Sequence, residues 1–99
     1  MGWKIYDETI QIVQERFRYF PKVFRWHGQR FEVESVVRCW TRTGRSGRRR
    51  LERRFFHVRC VAGDFEIYQD IKLGTWYLRR ARFCPARVSA ARLAQPAWR

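Results

Sequence analysis

The chain has 99 residues, of which 45% are hydrophobic and 17% aromatic, and this composition suits one compact domain rather than a disordered chain. No apolar run approaches the roughly 20 residues that a membrane-spanning helix needs. The N-terminus lacks the charged and apolar regions of a secretory signal, and the three cysteines form no CxxC pair. We therefore expect a cytoplasmic protein without a disulfide framework and without membrane contact.

The formal net charge of +13 is concentrated in two segments. Residues 42–54 hold seven Arg and one Glu, and residues 79–99 hold six Arg and no acid. Each segment contributes +6, which leaves only +1 for the rest of the chain. The sequence therefore indicates a nearly neutral domain that carries one basic segment and one basic tail.

The first part of the chain gives mixed signals. Residues 1–8 are predicted to be a short lead-in. Residues 9–20 could begin a helix, but their β-branched content and the alternation of Phe17 and Tyr19 with arginines favour a strand. Pro21 follows, and it suits an edge or a bend better than a central strand.

Two apolar runs on either side of His27-Gly28-Gln29 predict a β-hairpin with arms over residues 23–26 and 30–40. Phe31 and Val33 keep strict alternation in the second arm. The pair Val36-Val37 then shifts the phase of the pattern, as a β-bulge does. Such a bulge would help a small sheet to curl.

Residues 41–54 (TRTGRSGRRRLERR) are predicted to be a loop. Their like charges repel one another, and the segment has almost nothing to bury. We expect this Arg-rich loop to be mobile in the free protein.

Residues 55–82 read as three short strands joined by two turns. Phe56 and Val58 alternate with polar residues, and turn signals follow at Ala62-Gly63-Asp64 and at Lys72-Leu73-Gly74. We predict an all-β, mainly antiparallel fold: a small sheet of five or six strands, curled into a barrel or half-barrel. A single domain would span residues 1–82, and a basic tail would follow over residues 83–99.

Five short motifs of aromatic, glycine and β-branched residues follow one another between residues 23 and 81. They are FRWxG from Phe24, FxVxxVxxxW from Phe31, FxVR from Phe56, GxFxIYxD from Gly63 and GxWYL from Gly74. With these motifs the chain resembles an uncharacterised family of small bacterial domains, found alone or fused to the C-terminus of some Y-family (translesion) DNA polymerases. The resemblance implies a β-domain whose relatives accompany DNA-repair polymerases. It carries over no catalytic residue.

The arginines point to nucleic acid, DNA or RNA, as the partner, because basic side chains that contact phosphates release counterions. The candidate phosphate contacts are Arg42, Arg45, Arg48, Arg49, Arg50, Arg53, Arg54, Arg79, Arg80 and Arg82. Exposed rings could stack on unpaired bases, although most rings of so small a domain must form its core. The candidate stacking residues are Trp26, Trp40, Trp76 and Tyr77.

A protein-interaction or homodimerisation module is the alternative. An edge strand with Phe and Tyr could pair with a strand of a partner or of a second copy. The arginines would then bind an acidic protein.

The sequence predicts no catalysis. Cys39, Cys60, Cys84, His27 and His57 lack the paired spacing of zinc sites. No phosphate-binding loop and no nucleophile elbow is present, and the acids between residues 64 and 70 are expected to be salt-bridge partners. We expect a non-enzymatic protein with no metal, no cofactor and no small-molecule substrate.

Overall fold

Six β-strands make up most of the computed structural model, which describes residues 2–83. No α-helix occurs in that part of the chain. The strands are β1 (Lys4–Arg16), β2 (Phe20–Trp26), β3 (Gln29–Ser46), β4 (Arg49–Cys60), β5 (Gly63–Asp70) and β6 (Trp76–Phe83). The prediction of an all-β fold with five or six strands is confirmed. The predicted tail lies outside the described residues from residue 84 onward.

The six strands form a closed antiparallel ring. Each strand pairs with the next one in sequence, and β1 also pairs with β6, from Lys4 opposite Ala81 to Ile10 opposite Trp76. This last ladder joins the two strands that would otherwise be the edges of the sheet. The predicted antiparallel, curled sheet is therefore confirmed.

Aromatic side chains fill the interior of the ring. Phe24, Phe56 and Phe65 come from three different strands and are fully buried. The rings of Phe24 and Phe65 meet edge to face, with their centroids 5.5 Å apart. Each buried ring contributes roughly 1.5–3 kcal/mol, so a few of them can stabilise a small core. The other core residues are Ile10, Trp26, Phe31, Val58, Cys60, Ile67, Trp76, Leu78 and Ala81.

The N-terminal segment differs from the sequence prediction in two ways. Residues 4–8 are the first part of β1 rather than a lead-in, because they pair with β6, a strand far along the chain. Residues 9–16 are extended as predicted, but a turn over residues 17–19 separates β1 from β2. Pro21 lies in β2 before the ladder with β3 begins at Val23, so its missing N–H removes no bond from that ladder.

The predicted bulge in β3 is confirmed. The register between β3 and β4 shifts between Val36 and Arg38, where Val36 pairs with Val58 and Arg38 pairs with His57. After this shift, Arg38, Trp40 and Arg42 project from the outer face of the ring, as every second residue of a strand does.

The prediction of a loop over residues 41–54 is wrong. The ladder between β3 and β4 continues without interruption from Trp40 opposite Phe55 to Ser46 opposite Arg49. Gly47, with φ of 64°, begins the two-residue turn that joins the strands. Pairing that starts in the buried part of the sheet propagates outward despite the like charges. We call residues 42–53 the basic ribbon.

Two other turns, the β1–β2 and β5–β6 connections, lie at the same end of the ring as the basic ribbon. Antiparallel strands alternate in direction, so the β1–β2, β3–β4 and β5–β6 connections share one end. The β2–β3 and β4–β5 connections share the other. We call the first of these the ribbon end.

Candidate nucleic-acid interface

The basic ribbon projects from the ring as two strands. The ladder between β4 and β5 ends at Arg53 opposite Asp70, and the Ile71 N–H donates one further bond to the Glu52 carbonyl at 3.0 Å. Beyond that bond, residues 43–51 pair only within the ribbon. At about 3.3 Å per residue, the ribbon extends roughly 15 Å beyond the ring. A two-stranded ribbon of this kind fits the major groove of duplex DNA.

Strand alternation divides the arginines of the ribbon between its two faces. We call the face that continues the outer surface of β4, β5 and β6 the front face. The front face carries Arg42, Arg49 and Arg53, and the back face carries Arg45 and Arg50. Arg48 lies in the turn, and Arg54 lies at the base of the back face with its guanidinium carbon 4.4 Å from the centroid of the Tyr19 ring. The ribbon thus presents positive charge on both sides and at its tip.

Like charges face each other directly across the ribbon. Arg42 is opposite Arg53, and Arg45 is opposite Arg50. Within the described residues, the ion pairs shorter than 4 Å involve none of these four arginines. Like charges in directly opposed positions destabilise a strand pair. A bound polyanion would attract both arginines of each pair and offset their mutual repulsion.

A row of four aromatic side chains crosses the front face. Trp40, Phe55, Tyr68 and Tyr77 occupy paired positions on β3, β4, β5 and β6. The ring centroids are 5.3 Å apart between Trp40 and Phe55, and 5.0 Å apart in the next two pairs. Phe55 and Tyr68 are buried in the middle of the row, while Trp40 and Tyr77 are partly exposed at its ends. Two of the four predicted stacking residues therefore lie together on one outer surface.

Arginine side chains cover this aromatic row. The guanidinium carbon of Arg38 lies 4.7 Å from the Trp40 ring centroid, and that of Arg53 lies 5.2 Å from the Tyr68 centroid. Such contacts are cation–π interactions. Cavities of about 220 and 250 Å³ adjoin the row, and Arg42, Phe55 and Arg79 line both. The surface combines flat rings with guanidinium donors, which suits bases and phosphates.

Farther along the front face, arginines surround two buried carboxylates. Arg82 donates to Asp64 at 2.7 Å, and Arg59 donates to the same carboxylate at 3.2 Å. Arg79 and Arg80 donate to Glu66 at 2.8 and 3.0 Å. The predicted phosphate contacts Arg79, Arg80 and Arg82 therefore serve as charge partners within the fold.

The environment of Asp64 keeps its carboxyl ionised. Burial acts to raise the pKa of Asp64, but the hydrogen bonds from Arg82 and Arg59 outweigh it, so the pKa is lowered below its ordinary value. The indole of Trp3 lies beside this cluster, 4.9 Å from the guanidinium carbon of Arg82 and edge-on to His57. The ion pairs of this cluster link side chains of β4, β5 and β6 on the outer surface of the sheet.

Two of the predicted stacking residues belong to the core, and this is a correction. Trp26 is 6% exposed, and its indole N–H donates to a Glu8 carboxylate oxygen at 2.8 Å. Trp76 is 8% exposed and packs against Phe56. Their positions along the strands point both indoles toward the interior of the sheet. Neither can stack on a ligand without leaving the core.

Sequence reasoning missed Arg38 and Phe17. The signal for Arg38 was present, because a bulge at Val36-Val37 places Arg38 on the same face as Trp40 and Arg42. Phe17 is 84% exposed at the tip of the β1–β2 turn. Its alternation with Tyr19 resembled a strand, which concealed the turn.

Within residues 2–83, no group of three His, Cys, Asp or Glu side chains has an arrangement that could hold a metal ion. The same range contains no helix long and apolar enough to cross a membrane.

No curated protein and no solved structure matches the chain. The model of a family described as a domain of unknown function, DUF6504, matches residues 1–84. That range includes all six strands, the basic ribbon and the aromatic row. The chain therefore belongs to the DUF6504 family.

Proposed function

We propose that this protein is a non-enzymatic nucleic-acid-binding module whose basic ribbon contacts phosphates. The observation that carries the proposal is the pairing of Arg42 with Arg53 and of Arg45 with Arg50 on a ribbon that holds a single acid, Glu52. Such an arrangement costs stability in the free protein and gains it against a polyanion. A solvated ribbon without a ligand would be more stable with mixed charges.

The aromatic row extends the same interface. Trp40 and Tyr77 are partly exposed on the front face, between the ribbon and the carboxylate cluster. A strand whose phosphates follow the front of the ribbon would bring its bases over these rings. The ribbon therefore supplies phosphate contacts, and the row supplies surfaces for unpaired bases.

We further propose that the ligand is DNA and that the setting is DNA repair. The support is the resemblance of the five sequence motifs to domains fused to translesion polymerases. A module beside such a polymerase would hold the template or product strand near the site of synthesis.

Fluorescence anisotropy with labelled single- and double-stranded oligonucleotides, measured over a series of salt concentrations, tests the proposal. The comparison is between the wild type and a variant with Arg48, Arg49 and Arg50 all changed to Ala. We expect micromolar or tighter binding that weakens with salt. The variant should bind more weakly and show a shallower salt dependence, because each lost phosphate contact reduces the slope by about one.

A matched control removes the same charge elsewhere. Lys4, Arg25 and Arg30 are exposed and lie outside the ribbon. Their joint change to Ala lowers the net charge equally, so it separates a local contact from general attraction. Equal losses in the two variants would show that binding is nonspecific, and no binding near physiological salt would contradict the proposal.

One observation favours the protein-interaction alternative. The ladder between β2 and β3 ends at Val23 opposite Glu32, so the rest of β3 pairs with β4 alone. This free edge could accept a strand from a second copy of the chain or from an acidic partner. Size-exclusion chromatography at high salt distinguishes a dimer from a nucleic-acid complex. A strand-paired dimer keeps its size, whereas bound nucleic acid dissociates.

A further inference from the structure

Phe17 stands at the tip of the β1–β2 turn with 84% of its surface exposed. The turn is tight and well defined, since the Tyr19 N–H donates to the Arg16 carbonyl at 3.1 Å. Arg16 and Arg18 precede and follow Phe17 in sequence and are also exposed. The structure thus holds a phenyl ring in solvent on a turn that carries two arginines.

The backbone of this turn is unfavourable for the residues that occupy it. Phe17 has φ of 58° and Arg18 has φ of 55°. Turns with two such residues favour Asn-Gly, and a bulky side chain in this conformation is an outlier. Strained residues with no packing role occur preferentially at functional sites. Neither burial nor turn geometry accounts for Phe17.

The turn lies against the base of the basic ribbon. Tyr19, two residues after Phe17, places its hydroxyl 3.5 Å from the sulfur of Cys39 on β3. The guanidinium of Arg54 on β4 covers the same Tyr19 ring at 4.4 Å. Phe17 is therefore at the ribbon end of the ring, on the side of the back-face arginines.

A cavity of about 300 Å³ lies beside the Phe17 ring. Phe20, Pro21 and Val36 give it an apolar floor, and its charged lining consists of the cations Arg16 and Lys22 and the carboxylate of Glu34. A flat, partly apolar group with a neighbouring phosphate matches this lining. A nucleobase and its backbone have that chemistry.

We propose that Phe17 stacks against an unpaired or extruded base of the nucleic acid whose phosphates bind the ribbon. This inference rests on the proposed function and goes beyond it, because it assigns a base contact to a turn outside both the ribbon and the aromatic row. Phe side chains that stack on bases or insert between base steps act in this way in nucleic-acid-binding proteins. The two flanking arginines would hold the adjacent phosphates.

The test is Phe17→Asn in the full chain, with anisotropy on single- and double-stranded oligonucleotides. Asn tolerates positive φ, so the melting temperature should stay the same or rise by a few degrees. The affinity should fall about tenfold, as expected for the loss of one stacked base. The salt slope should not change, because the substitution removes no charge.

A second readout follows the stacked base itself. An oligonucleotide with 2-aminopurine at successive positions should change its fluorescence on binding the wild type and Phe17→Tyr. The change should be lost with Phe17→Leu, which keeps an apolar side chain but not the ring. Ile5→Thr is the control, because Ile5 is 63% exposed near the other end of β1.

Failure of the stacking role and failure of the proposed function give different results. Salt-dependent binding that is equally tight in the wild type and Phe17→Asn would overturn the stacking role and leave the ribbon proposal intact. A wild type that binds no oligonucleotide would overturn both. A loss of affinity equal to that of Ile5→Thr would also contradict the stacking role.

Discussion

Gly63 begins β5 opposite Phe83 of β6. Its φ of 150° is one that side chains rarely adopt, and a Cβ atom there would collide with the Arg82 carbonyl and lie 2.8 Å from the Phe83 Cα. We predict that Gly63→Ala lowers the free energy of unfolding by about 2–4 kcal/mol, because backbone on a neighbouring strand cannot move aside cheaply. Urea denaturation measures the loss. Gly44→Ala is the control, since that glycine has open space around it and should change stability little.

Asp64 gives the folded protein a defined response to acid. Its pKa is lowered in the fold, because the hydrogen bonds from Arg82 and Arg59 outweigh the effect of burial. A lowered pKa means that its contribution to stability is complete above the ordinary value of 3.8 and is lost as the pH falls through the lower folded value. We predict that the urea midpoint falls as the pH decreases below about 4.

Asp64→Asn isolates this carboxylate from the other acids. The variant should be less stable at neutral pH, because Arg59 and Arg82 lose their charged partner. Its urea midpoint should depend less on pH below about 4 than that of the wild type. An unchanged acid profile in the variant would show that another carboxylate dominates the response.

At the scale of single elements, the hairpins and the bulge in β3 were predictable, because each depends on residues that are neighbours in sequence. The basic ribbon was not. Its composition suggested a loop, yet Trp40 and Phe55 stack at its base, and the ladder extends outward from that pair. A ladder that is anchored in a buried sheet tolerates like charges that would prevent an isolated hairpin from forming.

The opposed arginines of the ribbon should have opposite effects on stability and on binding. We predict that Arg50→Glu stabilises the protein by about 0.2–1 kcal/mol, because Glu opposite Arg45 replaces a repulsion with an ion pair. The same change should weaken oligonucleotide binding. Hydrogen exchange of the ribbon amides and anisotropy would measure the two effects.

Arg50→Thr separates the loss of the repulsion from the gain of an ion pair. It removes the repulsion without adding an acid, so its stability should lie between those of the wild type and Arg50→Glu. A ribbon that exchanges faster in Arg50→Glu than in the wild type would contradict the argument. In that case the opposed charges would not limit its stability.

At the scale of the whole molecule, closure of the ring assembles the candidate site. Trp40 and Tyr77 are far apart in sequence, and three successive ladders align them with Phe55 and Tyr68 in one row. Their residue types could be selected from the sequence, but their common face could not, because it depends on register shifts in β3 and β6. The same dependence explains why Trp26 and Trp76 were wrongly included.

We expect the ring to fold without the ribbon. Every core residue lies in the ring, and Arg42 directly faces Arg53 where the ribbon begins. We predict that replacing residues 43–52 with Asn-Gly leaves the melting temperature within a few degrees of the wild type, since Asn-Gly forms the two-residue turn that this pair of strands needs. The shortened protein should lose most of its oligonucleotide binding near physiological salt.

A second variant separates the length of the ribbon from its charge. It keeps the full length of the ribbon and changes Arg45, Arg48, Arg49 and Arg50 to Thr. Binding should fall as far as in the shortened protein if phosphate contacts dominate, because both variants remove the same four arginines. Retained binding in the Thr variant would instead assign the contact to the shape of the ribbon. Unfolding of the shortened protein would show that the ribbon also stabilises the ring, and the separation of folding from binding would then be wrong.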